Sequence, residues 1–113
     1  MEKTAYYQEI SHLFNFGKIE EIEELLKNKG PAGSGIDTGT KFVAEESKTN
    51  KLVFSCSFHH MNDVGYYTNW TDHKIIVTPS FRPNDCDIRV YGRNQNGIKD
   101  YLADVFNDFL VFA

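Results

Sequence analysis

The sequence predicts a single α+β domain built in the order ααββββα, and three patterns carry that prediction. Leu52, Phe54, Cys56 and Phe58 recur at every second position, the period of a half-buried antiparallel strand, and residues 72–78 read as the strand that returns from it. Residues 98–110 repeat apolar side chains at i, i+3, i+4 and i+7, the stripe of a helix that lies on a sheet. A glycine-rich stretch at 30–40 separates these elements from an amino-terminal part with two further helical stripes. The expected segments are a helical hairpin over 1–29, a loop over 30–40, an antiparallel sheet over 41–91 and a final helix over 96–111, all in one domain spanning 1–113.

In residues 3–15, Tyr6, Ile10, Leu13 and Phe14 share one helical face, with Glu9 and His12 off it, and Asn15-Phe16-Gly17 interrupts the run. Residues 18–28 turn Ile19, Ile22, Leu25 and Leu26 inward. Glu20, Glu21, Glu23 and Glu24 gather near the start of this helix and Lys27 and Lys29 near its end, the order that the helix dipole favours. Glu23 and Lys27 form an i,i+4 pair. Gly30 is placed as the C-cap, with Pro31 beyond it. Gly30, Gly33, Gly35 and Gly39 then make 30–40 a loop, serving either as a hinge or as a backbone cradle for an anion.

The first strand is expected over Lys41–Glu46, with Phe42 and Ala44 on one face and Ser47-Lys48-Thr49-Asn50 turning the chain. The second, Lys51–His59, aligns Leu52, Phe54, Cys56 and Phe58. An aromatic loop over His60–Thr71 leads to a third strand, Asp72–Thr78. Pro79 has no N–H for a ladder, so pairing ends there or that end is an edge. Arg82, Pro83, Asn84 and Asp85 connect to a fourth strand, Asp87–Tyr91, with Ile88 and Val90 inward. The final helix carries Ile98, Tyr101, Leu102, Val105, Phe106, Phe109 and Leu110 on one side and Lys99, Asp100, Asp104 and Asp108 on the other, with Asn96 as its N-cap. It is expected to cover the face formed by Leu52, Phe54, Phe58, Ile75, Val77, Ile88 and Val90.

At 41% hydrophobic and 14% aromatic the chain can bury a core without disulfide or metal staples. No apolar run approaches the roughly 18 residues of a membrane helix, so no membrane contact is expected. The segment Met1–Glu9 lacks the apolar core of a secretory signal, which gives a cytoplasmic reading and makes the Asn69-Trp70-Thr71 sequon a chance match. Cys56 and Cys86 fall on strands two and four, about 9.6 Å apart, beyond the reach of about 7 Å that a disulfide requires. They are expected to be free thiols. The net charge of −4 is spread without a basic field, so direct nucleic-acid binding is not expected.

The aromatic loop is the leading candidate surface. Tyr66, Tyr67, Asn69 and Trp70 supply rigid contact area with polar tips, and Arg82, Arg89, Tyr91 and Arg93 fall near one sheet end or on the uncovered face. The alternative folds Tyr66 and Trp70 back as a lid on the core. A metal reading rests on His60 and His73, which flank the loop, with Asp63 or Asp72 as a third ligand. No spacing signature supports it, and hairpin-end histidines satisfied by loop carbonyls are the simpler account. Ser55 and Ser57 are strand residues outside any nucleophile elbow, and the glycines of 30–40 lack the Gly-Lys-Ser/Thr ending of a P-loop. No cofactor is expected.

Two resemblances add to this. Ile36-Asp37-Thr38-Gly39-Thr40 resembles the motif of dimeric retroviral aspartic proteases, in which paired aspartates share a proton. That family needs strands before the motif and a glycine-rich flap, whereas residues 3–28 read as helices and the hairpin here is aromatic. An aspartate capping a turn in a glycine loop is preferred. The runs Gly33–Thr40, Phe54–Met61, Gly65–His73, Val77–Ser80 and Gly92–Leu102 are similar to those of small uncharacterised bacterial proteins found on phages, plasmids and other mobile elements of gut bacteria. This likeness spans residues 32–110. It implies a mobile-element setting, in which small acidic proteins act on host machinery, and assigns no role to particular positions. The expectation is a non-enzymatic module that binds a protein partner, with inhibition of a host protein as one form of it and a homodimer left open. The alternative is a metal- or small-molecule-dependent enzyme using the hairpin histidines.

Overall fold

In the computed structural model, which describes residues 6–29, 40–58, 71–81, 86–92 and 97–110, the elements follow the expected order. α1 (Tyr6–Asn15) and α2 (Ile19–Lys29) precede β1 (Lys41–Phe42), β2 (Leu52–Phe58), β3 (Thr71–Pro79) and β4 (Cys86–Tyr91), followed by α3 (Ile98–Leu110). The four strands form one antiparallel sheet in the order β1-β2-β3-β4. The expected cap at Gly30, most of the loop over 30–40, the turn over 82–85 and the N-cap at Asn96 lie outside the described residues. At the start of α3 the Gly97 carbonyl accepts from the Tyr101 N–H at 3.1 Å.

Gly17 makes the first turn. Its φ of +70° is left-handed, and it closes α1 with two reverse bonds, Lys18 N–H to the Leu13 carbonyl at 2.9 Å and Gly17 N–H to the Phe14 carbonyl at 3.0 Å. That pattern satisfies the last carbonyls of a helix and sends the chain off at an angle. α2 therefore starts two residues later, and both helices turn their apolar stripes onto the sheet.

Sheet register sets the core. Phe42 pairs with Phe54, Phe54 with Ile75 and Ile75 with Val90, so one row of large apolar side chains crosses all four strands. Leu52, Val77 and Ile88 form the adjacent row. All three helices bury residues against this face: Ile10 from α1, Ile22 and Leu26 from α2, and Leu102 and Phe106 from α3. Ring contacts link the layers, with centroids 5.6 Å apart for Phe14–Phe42, 5.6 Å for Phe42–Phe54 and 5.5 Å for Phe54–Phe106. Tyr6 and Phe109 stack at 4.9 Å, which ties α1 directly to α3. Among the described residues, no helix is long and apolar enough to cross a membrane.

The first strand is shorter than expected. Lys41–Glu46 reads as a strand, yet pairing stops at Phe42 and Ala44–Glu46 forms a 3₁₀ turn. Ser47 is the cause. Its hydroxyl donates to the Val43 carbonyl at 2.8 Å and accepts from the Val53 N–H at 3.0 Å, so a side chain takes the place of a strand partner and curls the chain. Both cysteines are free and buried, as their placement on β2 and β4 requires.

The β1 edge is closed by α2. Phe42 directs its N–H away from β2, where Oε1 of Glu23 accepts it at 3.3 Å. Glu23 thus reaches across to the sheet as well as standing one turn from Lys27. A charged acceptor on an edge N–H blunts a site of unwanted strand pairing.

Candidate functional site

With the helices gathered on one face, the opposite face of the sheet is built from the alternate residues of each strand. Lys41, Ser55, Lys74 and Tyr91 form one cross-strand row there, and Val53, Ile76 and Arg89 form the next. The 3₁₀ turn lies against β2, whose Val53 is buried on this face. Lys74 is held over that margin by a charged contact with Glu46. Ser57 donates to Asp72 at 2.7 Å farther along the sheet. Towards β4 the face opens: Asp87 and Arg89 are exposed, and Tyr91 is 48% exposed, a large aromatic ring left in water. Phe16 and Phe81 are the other exposed large apolar side chains among the described residues.

Of the residues singled out from the sequence, Arg89 and Tyr91 lie on this open face, and Arg82 falls outside the described residues. Tyr66, Tyr67, Asn69, Trp70 and Arg93 lie outside the described residues, as do His60, Asp63 and Asp37. The paired residues Phe58 and Thr71 fix where the segment 59–70 leaves and rejoins the sheet, three residues beyond the Lys74–Tyr91 pair. Lys41, Lys74 and Asp87 were not singled out from the sequence. Their signal was present in the sequence, as the polar alternates of strands chosen by their apolar positions.

His73 and Asp72 are adjacent on β3 and point to opposite faces. His73 is only 2% exposed, on the core face opposite Cys56, whereas Asp72 is exposed beside Ser57. These two do not converge on one point. Among the described residues, no group of three or more histidine, cysteine, aspartate or glutamate side chains is arranged to hold a metal ion. Burial, and after it the Asp72 carboxylate, pushes the Cys56 thiol up to about 11, so it is protonated at neutral pH. Burial first, and Cys86 second, also raises Tyr7 above the ordinary phenol value.

A separate open groove of about 390 Å³ runs between the two amino-terminal helices, with Leu13 and Leu25 in it and Glu9, Glu21, Glu24 and Asn28 around it. Glu24 accepts from Asn28 at 3.1 Å and Glu21 stands 3.9 Å from Lys18, both exposed contacts of small worth. Compared with known proteins, the chain matches no family model, no curated protein and no solved structure.

Proposed function

We propose that this protein is a non-enzymatic protein-binding module that contacts its partner through the β4 side of the open sheet face and the neighbouring 61–71 segment. One observation carries the reading: the three described α-helices pack on one face, and the other presents Tyr91, 48% exposed, beside Arg89. Tyrosine and arginine are enriched at the energetic centres of protein interfaces, because a rigid amphipathic ring and a planar guanidinium give much contact for little lost freedom. The adjoining segment adds Tyr66, Tyr67 and Trp70, which extend the same chemistry. The flanking lysines and acids suit the polar rim of such a patch.

In keeping with the likeness to mobile-element proteins, the partner is a host protein in a bacterial cell, and binding inhibits it. The test is retention of a bacterial protein on the immobilised chain, followed by titration with that protein once purified. Tyr91→Ala and Trp70→Ala should each weaken binding at least tenfold, whereas Lys18→Ala, on the helical side, should leave it unchanged. Equal affinity for all three variants would discard the surface, and a turnover activity lost with His73→Ala would favour an enzyme instead.

A further inference from the structure

The edge strand β4 carries a pattern that fits a second copy of itself, and this inference stands independently of the partner surface proposed above. The direction of its backbone groups follows from the ladder. Val43 donates its N–H to the Val53 carbonyl, so residue 53 of β2 directs its backbone groups towards β1. Antiparallel ladders alternate, so Leu52, Phe54 and Cys56 direct theirs towards β3. Carrying the register across, Ile76 and Thr78 face β4, and Asp87, Arg89 and Tyr91 return those bonds. The backbone groups of Ile88 and Val90 therefore point outward, at the end of a sheet in which β4 is the last strand.

The side chains then select a register. Asp87, Arg89 and Tyr91 project from the open face, and Ile88 and Val90 from the core face. Antiparallel pairing about a two-fold axis at Ile88 places Ile88 opposite Ile88 and exchanges their two outward hydrogen bonds. It also sets Asp87 of each copy opposite Arg89 of the other, in a non-hydrogen-bonded pair where side chains come closest. Sliding by one step either way puts Asp87 against Asp87 or Arg89 against Arg89. An edge that guards against self-association carries charges that repel its own copy; this one carries charges that attract it.

The core face agrees. Ile75 and Val77 are fully buried, but Ile88 and Val90 remain partly open at the margin of the same cluster. A second copy would cover that margin and bring its α3, which packs over β4, to the same side of a joint eight-stranded sheet. We propose that β4 is a homodimer interface formed by antiparallel strand addition centred on Ile88, with two reciprocal Asp87–Arg89 pairs. The contact is short, so the dimer is of the weak, concentration-dependent kind.

The experiment is sedimentation equilibrium of the full chain over a wide concentration range, with circular dichroism to show that each variant folds. Wild type should move from monomer to dimer. Asp87→Arg and Arg89→Asp should each raise the dimer dissociation constant by about tenfold or more, because each replaces two attractions with two repulsions. Mixed together, the two single variants should form a heterodimer of near wild-type affinity, and the double variant should dimerise again by itself. A wild type that stays monomeric, single variants that dimerise unchanged, or no recovery in the mixture would overturn the proposal.

Discussion

Gly92 stands against the ring of His73: a β-carbon at this glycine would lie 2.6 Å from Cδ2 of the histidine and 2.9 Å from the Asp72 carbonyl oxygen. Its φ of +135° is one that side chains rarely tolerate, and the buried histidine has no solvent into which to retreat. Gly92→Ala should therefore destabilise the fold by about 2 kcal/mol or more. A lowered denaturant midpoint with unchanged slope would show it. An unchanged midpoint would mean that the end of β4 shifts freely.

The rings of Phe42, Phe54 and Phe106 should behave as a coupled set. Phe54→Ala is expected to cost about 3–5 kcal/mol, the range for emptying a core of a large ring. In a double-mutant cycle, Phe42→Leu and Phe54→Leu together should cost about 0.5–1.5 kcal/mol less than the sum of the two single losses. Additive losses would reduce the edge-to-face contact to plain burial.

Glu23 tests the closed edge of β1. Glu23→Ala should cost about 1 kcal/mol, since the Phe42 N–H loses its acceptor, while Glu23→Gln keeps an oxygen there and should cost less. Thermal unfolding of the three proteins would rank them, and an equal cost for both variants would place the effect in the helix rather than at the sheet edge.

Alkaline titration should expose Cys56. A thiol is neutral when protonated, so a pKa raised from 9.0 to about 11 means that the fold favours the protonated form. That stabilisation is complete below pH 9.0 and disappears as pH rises through about 11. Tyr7, raised as well, acts in the same direction. Unfolding free energy should fall over this window, and Cys56→Ala should make the fall shallower. A thiol that reacts rapidly with disulfide reagents at neutral pH would contradict the burial.

Tyr91→Ala should change stability by no more than about 0.5 kcal/mol, because the residue is 48% exposed and lies outside the core. Partner affinity and stability would thus separate at this residue. A large loss of stability would instead make the ring structural.

The strands and the last helix were legible because burial on one side leaves a period in the sequence: Leu52, Phe54 and Cys56 alternate, and Ile98, Leu102, Phe106 and Phe109 recur on one helical face. What misled was Ser47, whose hydroxyl replaces a backbone partner and stops β1 after Phe42, a competition that no apolar period records. His73 misled in another way. A polar side chain at the end of an aromatic hairpin suggests a site, yet its parity with Ile75 and Val77 already assigned it to the interior. Tyr91 was readable by the same parity, as the outward neighbour of Val90.

The stacking of Tyr6 on Phe109 joins the two ends of the described chain, and this has a consequence for biosynthesis. As the polypeptide emerges from the ribosome, α1 leaves the tunnel well before Phe109, whose ring stacks on its Tyr6. On this side α1 stays wetted or chaperoned until α3 has emerged, and the contact between the two helices locks only then.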